Sequence, residues 1–156
     1  MKIVKHPNKI LSAKAKTISQ EVIKTPVFRQ LVLDMAEMML KSDGAGLAAP
    51  QIGKSLQLAV INTKEGVLAL VNPKITKKSL TREWGEEGCL SVPGYFGEVK
   101  RYKKVTCEYF NAQGEKKKIK AEGLLARVIQ HELDHLNGIL FIAKARNIKK
   151  IDQAKR

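Results

Sequence analysis

The sequence predicts an α+β fold with mostly antiparallel sheets, on three observations. An amphipathic helical pattern stands near the N-terminus, a second stands in the last third, and the strand-like runs between them show no regular βαβ alternation. The chain has 156 residues, 44% hydrophobic and 28% charged, an ordinary globular mixture for a single domain that buries a core without disulfide staples. The longest apolar runs, 58–61 and 67–71, fall far short of the roughly 20 residues that a bilayer crossing needs, so no membrane partner is expected.

Thr25 and Pro26 form an N-cap and first-turn pair. After them Val27, Phe28, Leu31, Val32, Met35, Met38 and Met39 share a helical face, which predicts a helix over 26–41. Gly44, Gly46 and Pro50 then break regularity. Residues 56–62 and 67–71 read as strands around a turn at 64–66, and Pro73 starts an extended run to about Trp84. Residues 99–110 and 116–122 read as a hairpin turned at Asn111-Ala112-Gln113-Gly114. A second helix is predicted over 124–137, with Gly138 placed to end it. The tail, 143–156, is short, basic and expected to be helical.

Lys and Arg number 29 against 15 Asp and Glu, a formal net charge of +14. A surface this basic attracts polyanions, and lysine binds phosphate as a point charge rather than as a base-reading fork. A general attraction to RNA and a merely soluble basic surface both fit. The first residues, MKIVKHPNKIL, carry no signal-peptide pattern, so a reducing cytoplasmic compartment is expected. There Cys89 and Cys107 are free thiols rather than halves of a disulfide.

His131-Glu132-Leu133-Asp134-His135 matches H-E-x-x-H. At i and i+4 the two imidazoles stand on one helical face and can share a metal, and the Glu beside the first can act on a water that the metal activates. At about 100° per residue, Leu125, Val128, Ile129, Leu133 and Leu136 cover one half of the wheel. The polar half carries Arg127, Gln130, Asp134 and Asn137, so Asp134 is expected to be solvated. The two histidines stand at one edge of the apolar arc and Glu132 inside it. A carboxylate aimed into a core is costly unless it is paired or employed, which argues against two ordinary surface histidines.

A catalytic metal of this kind usually has three protein ligands and one open position. Downstream of His135 the only acid is Asp152, and Phe141 stands where the longer pattern H-E-x-x-H-x-x-G-x-x-H would need its last His. The third ligand is therefore expected upstream. His6, beside Pro7, reads as a surface or packing residue, and Cys107 in Val105-Thr106-Cys107-Glu108-Tyr109 as a small buried hydrophobe. Cys89, between Gly88 and the bend at Pro93, suits an accessible thiolate on an irregular strand end.

Three segments together resemble one family. Gly44-Ala45-Gly46-Leu47-Ala48-Ala49-Pro50-Gln51 resembles G-x-G-L-A-A-P-Q, Glu87-Gly88-Cys89-Leu90-Ser91 resembles E-G-C-L-S, and Gln130-His131-Glu132-Leu133-Asp134-His135 resembles Q-H-E-x-D-H. In this order they are the motifs of the peptide deformylases, and the likeness runs from about Ile3 to Phe141. The resemblance implies a small fold with antiparallel sheets packed around the HExxH helix. It implies Cys89, His131 and His135 on one divalent metal, Fe2+ in the cell, with Zn2+, Ni2+ or Co2+ able to substitute. The implied substrate is the N-formyl-methionyl end of nascent peptides, and the products are formate and a free amine.

By the same resemblance Glu132 is the general acid and base, and the Gln51 side-chain amide and the Leu90 backbone N–H stabilise the oxyanion. Gly46 belongs with these catalytic positions, the motif glycines letting backbone approach substrate closely. The peptide is expected to lie extended between 44–46 and 88–90 with backbone pairing, so that Gly44, Ala45 and Gly88 bind it. Its methionine side chain would enter an apolar pocket near Val128, His131 and Leu90. Arg127 either edges that pocket or is an exposed helix residue. A Glu87–Arg101 ion pair is expected to steady the Cys89 segment.

Two departures matter. Ala45 replaces the Ile or Val frequent in the family, which would widen the pocket rim. The tail from Lys144 to Arg156 is short where bacterial relatives carry a C-terminal helix that docks on the ribosome, so ribosome or rRNA association rests on charge. The expected state is a monomer. Three other readings stay open on the residues alone: an HExxH metallopeptidase, an RNA-binding module with a closed four-ligand structural metal, and a deformylase-like chain without activity.

Overall fold

The structure, a computed structural model, describes residues 1–151; residues 152–156 of the expected basic tail lie outside the described residues. Helix α1 spans Gln20–Ile23 and α2 spans Pro26–Lys41, the latter capped by the Thr25 side chain, which accepts from the Phe28 N–H. Eight strands follow: β1 Gly46–Ala48, β2 Leu58–Thr63, β3 Gly66–Lys78, β4 Arg82–Cys89, β5 Val92–Tyr102, β6 Lys104–Phe110, β7 Lys116–Glu122 and β8 Arg146–Lys150. Helix α3, Gly123–Leu136, lies between β7 and β8 in the chain. The predicted α+β architecture is therefore the observed one.

All strand pairs are antiparallel. They form a five-stranded sheet in the order β1-β2-β3-β6-β7 and a three-stranded sheet in the order β4-β5-β8. Strand β2 shows why the two long helices straddle the larger sheet. Leu58 and Val60 join Phe28, Val32, Met35 and Met39 of α2 in one cluster, while Ile61, one residue on, joins Ala126, Ile129 and Leu133 of α3 in another. Alternate residues of a strand point to opposite faces, so a strand buried on both sides reads as the continuous apolar run found here. No helix of the described residues is long and apolar enough to cross a membrane.

The secondary structure and packing differ from the sequence expectations at four places. Val27 is 80% exposed, because the buried stripe of α2 runs through Phe28, Val32, Met35 and Met39. The extended run from Pro73 is not one strand: it is divided between β3 and β4, which belong to different sheets. The run 99–110 is also divided. The chain leaves the smaller sheet at Tyr102 and enters the larger at Lys104, pinned by the Lys103 N–H on Thr81 O and the Gly123 N–H on Lys103 O. The tail forms a 3-10 turn, Phe141–Ala143, and then strand β8 rather than a helix. Strand β5 has an open edge beside it, and pairing Tyr95 with Lys150 and Glu98 with Arg146 satisfies backbone that a short helix of like charges would leave to water.

Helix α3 ends as expected. Gly138 has φ +75°, and its N–H and that of Ile139 close on His135 O and Asp134 O. A Cβ at Gly138 would stand 2.7 Å from the Ser12 backbone, so glycine is also what lets the N-terminal segment cross here. The hairpin of β6 and β7 turns at Asn111–Gly114, where the Asn111 side chain accepts from the Gln113 and Glu115 N–H groups.

Candidate active site

Strand β4 ends with a register shift between Gly88 and Cys89, which turns the Cys89 thiol toward α3. Ligand atoms of Cys89, His131 and His135 lie within 4.8 Å of one another. Cys89 Sγ is 3.3 Å from His135 Nε2, and the two imidazole rings meet edge to face at 4.9 Å. The thiol is half-buried and His135 fully buried. His6 is exposed, with its backbone N–H on Ser91 O, and Cys107 is buried in the core between β6 and α3, where burial pushes its thiol up to about 11.

Two of the three donors, His131 and Cys89, have hydrogen-bonding neighbours behind them. The Nδ1 of His131 lies 2.8 Å from Glu87 Oε1, leaving Nε2 for the cluster. Gln51 is buried; its Oε1 accepts from the Ala48 N–H at 2.9 Å, which aims Nε2 at Ser91 Oγ (3.1 Å) and Cys89 Sγ (3.4 Å). The Ser91 N–H also donates to Cys89 Sγ. Ser91, fully buried, had no role assigned from sequence, although it closes the second motif.

Glu132 is only 2% exposed, and its carboxylate lies against Gly46, where a Cβ would stand 2.6 Å from Oε1. Burial, with help from Glu87, pushes its carboxyl up to about 7, against the pull of His131 and Arg101. At His131 burial opposes the charged ring, but hydrogen bonds with Cys89 and Glu87 outweigh it and raise the imidazole to about 10. Burial and the charge on His131 both lower His135. Among the described residues Glu132 Oε2 and His135 Nδ1 are buried polar atoms without a hydrogen-bond partner. One thiol and two imidazoles form a donor set that fits a divalent transition-metal ion, with the partnerless buried oxygen of Glu132 beside it.

Glu87 is the hub behind the cluster. Arg101 Nε and Nη2 donate to its two oxygens at 2.9 Å each, and Arg127 Nη1 donates to Oε2 at 2.7 Å. Burial alone would raise this carboxyl; the hydrogen bonds from His131 and Arg101 hold it well below the usual carboxylate range. Asp134 is not solvated as the wheel suggested. It accepts from Arg101 Nη1 at 2.6 Å and from Lys144 Nζ, because the chain beyond α3 folds back over that face. Nor is Arg127 an exposed helix residue; its guanidinium also donates to Gly85 O, Val99 O and Glu83 O.

A pocket of about 690 Å³ opens onto these groups. Gly44, Ala45 and Gly46 line one wall and Gly88, Cys89 and Leu90 another, with Leu124, Arg127, Val128, His131 and Glu132 of α3 between. Strands β1 and β4 are edge strands of their sheets, and both border this pocket. The structure thus gathers Gln51, Cys89, Leu90, His131, Glu132 and the Gly44–Gly46 segment around one cavity, from three separate parts of the chain.

Comparison with known proteins bears on what such a cavity does. The sequence profile of the family described as polypeptide deformylase matches residues 1–151. A peptide deformylase of Carboxydothermus hydrogenoformans is 50% identical over 147 residues, covering 94% of each chain. One of Pelotomaculum thermopropionicum is 44% identical over 153 residues, covering 96% of this chain and 94% of the relative. The crystal structure of a peptide deformylase from Synechococcus elongatus in complex with actinonin superposes with a TM-score of 0.89 at 40% identity, covering 94% of this chain and 79% of that one.

Proposed function

This chain belongs to the polypeptide deformylase family, and on that premise we propose that it removes the formyl group from N-formyl-methionyl ends of nascent polypeptides, releasing formate. The enzyme class is deformylase; the metallopeptidase and RNA-module readings give way to it. The observation that carries the finer reading is the clustering of Cys89, His131 and His135 beside the buried carboxylate of Glu132 at the pocket.

In this reading Cys89, His131 and His135 hold one divalent ion, Fe2+ in the cell, with Zn2+, Ni2+ or Co2+ able to substitute. When bound, the ion supplies Lewis acidity toward water and the formyl oxygen. The chain's own residues do the rest. Glu132 takes a proton from the attacking water as its oxygen joins the formyl carbon. When the C–N bond breaks, Glu132 passes that proton to the departing nitrogen, so water is divided between formate and the free amine. Such proton transfer by a positioned carboxylate is typically worth about 10²–10⁴ in rate. Gln51 Nε2, aimed by its bond to Ala48, and the Leu90 N–H stabilise the oxygen on which negative charge develops. Gly46 leaves room for the Glu132 carboxylate.

The open edges of β1 and β4 suit an extended peptide between 44–46 and 88–90. Gly44, Ala45 and Gly88 would border its backbone, and Val128, Leu90 and the His131 ring its methionine side chain. The chain acts as a single metallohydrolase domain, monomeric and cytoplasmic, over residues 1–156. Ribosome association is supported by charge. On the larger sheet Lys74, Glu108 and Lys118 form one cross-strand row and Lys77, Thr106 and Lys120 the next, a lysine-rich surface suited to rRNA phosphate. Binding to ribosomes that is absent, or indifferent to salt, would refute that part.

The test is formate release from an N-formyl-methionyl tripeptide by anaerobically purified, Fe2+-loaded protein, with Glu132→Gln as control. Formate from the wild type and a loss of about 10²-fold or more in the variant is the expected result. No formate from wild-type protein carrying stoichiometric metal would overturn the reading.

A further inference from the structure

The three proposed ligands come from two elements, Cys89 from the end of β4 and the two histidines from α3. Their convergence depends on the separation of strand and helix at this point. Arg127 stands one helical turn before His131, and its guanidinium reaches across that gap. Nη1 donates to Glu87 Oε2 (2.7 Å), Val99 O (2.9 Å) and Gly85 O (3.4 Å), and Nη2 donates to Glu83 O (3.0 Å). Gly85 and Val99 are register partners across β4 and β5, so one side chain of α3 grips two of the three strands of the smaller sheet. The same Glu87 faces His131 Nδ1 through its other oxygen.

Gly85 is the complement of this reach. A Cβ there would stand 2.7 Å from Arg127 Cζ and Nη2 and 2.9 Å from Nε. The bare Cα is what admits the guanidinium to the β4 and β5 carbonyls. A lysine could not replace it, because a single ammonium cannot serve acceptors spread over two strands and a carboxylate, whereas a guanidinium presents five N–H donors in a fixed fork. With four protein acceptors engaged, both Nη atoms of Arg127 are committed to the protein.

We propose that Arg127, admitted by Gly85, is a positioning residue: it sets the His131 ring through Glu87 and holds β4 at the distance from α3 that brings Cys89 to the two imidazoles. The inference rests on the ligand assignment above and replaces the expectation that Arg127 binds substrate.

The test uses the full chain loaded with Co2+, measuring the Co2+ dissociation constant by chelator competition, the visible absorption bands of the bound ion and the KM for formyl-methionyl peptide. The variants are Arg127→Met, Gly85→Val and the pair. Removing a group that orients a metal ligand typically weakens metal binding about 10–100-fold, and each single variant is expected to fall in that range with shifted bands. Because both act through one contact, the double variant should be no weaker than about the worse single one. Unchanged Co2+ affinity and bands in the folded single variants overturn the proposal, as does a raised KM alone or full additivity in the pair. If Arg127→Met does not fold, Gly85→Val, which keeps the arginine, decides by the same criterion. Metal affinity and spectrum need no turnover, so a failure of the deformylase reading would be visible separately, as bound Co2+ without formate.

Discussion

Replacing Gly46 by alanine adds one methyl group at the most crowded point of the site. Gly46 opens β1 and pairs with Ile61, in a strand conformation that alanine adopts freely, so the fold should persist. The new Cβ would stand 2.6 Å from Glu132 Oε1 and 2.9 Å from Cδ and Cγ, where ordinary contact begins at 3.4 Å. The carboxylate must therefore retreat by about 0.8 Å, from a position that is almost fully buried. A misplacement of about 1 Å at a reacting group costs roughly 10² in rate, or about 2.7 kcal/mol on the barrier. Steady-state formate release, together with metal content and a melting curve, checks this. The expected variant is folded and fully metal-loaded, with kcat/KM down about a hundredfold. Gly44→Ala is the companion: its Cβ would meet the flexible Leu90 Cδ1 at 3.0 Å and press only slightly on Gly46 O at 3.3 Å, without touching Glu132, so a much smaller loss is expected. A folded, loaded Gly46→Ala enzyme within about threefold of wild type would refute the claim that this glycine exists to seat Glu132.

Two further predictions follow from the buried charges and thiols. Arg101 is buried between Glu87 and Asp134, so Arg101→Ala strands two carboxylates; breaking a buried pair costs about 3–5 kcal/mol, and the low end is expected because Arg127 still serves Glu87. Urea unfolding within about 0.5 kcal/mol of wild type would contradict it. Burial pushes Cys107 from an ordinary 9.0 up to about 11 in the folded protein. A folded value raised above the unfolded one gives a contribution present below pH 9 and lost as pH climbs through 11, because the unfolded chain releases its proton first. Cys107→Ala should therefore flatten the alkaline fall of the urea midpoint between those limits, and an unchanged slope would show that Cys107 does not cause it.

Much of this molecule is legible along the chain because periodicity and punctuation are local. Thr25-Pro26 begins a helix by capping geometry, Asn111 to Gly114 turns a hairpin with its own side chain, and Gly138 stops α3 with a positive φ. The wheel put Glu132 among apolar neighbours, and it is buried. The breaks at 79–81 and at Lys103 carry no comparable signal, since the residues there suit an extended chain on either side and only the existence of two sheets decides where one ends. The tail became β8 for the same reason: its lysines permit several conformations, and an open edge of β5 selected one.

The sequence by itself determined which residues could do chemistry here. H-E-x-x-H places two imidazoles on one helical face by spacing alone, and the three motifs name the family whose profile matches residues 1–151. What only the tertiary structure decided is how those residues are held. Glu87 meets Arg101, Arg127 and His131 from 14, 40 and 44 positions away, and Asp134 meets Arg101 from 33. Such partners are chosen by burial: a charge removed from water takes whatever opposite charge the packing brings within reach, and no local pattern encodes which one that is.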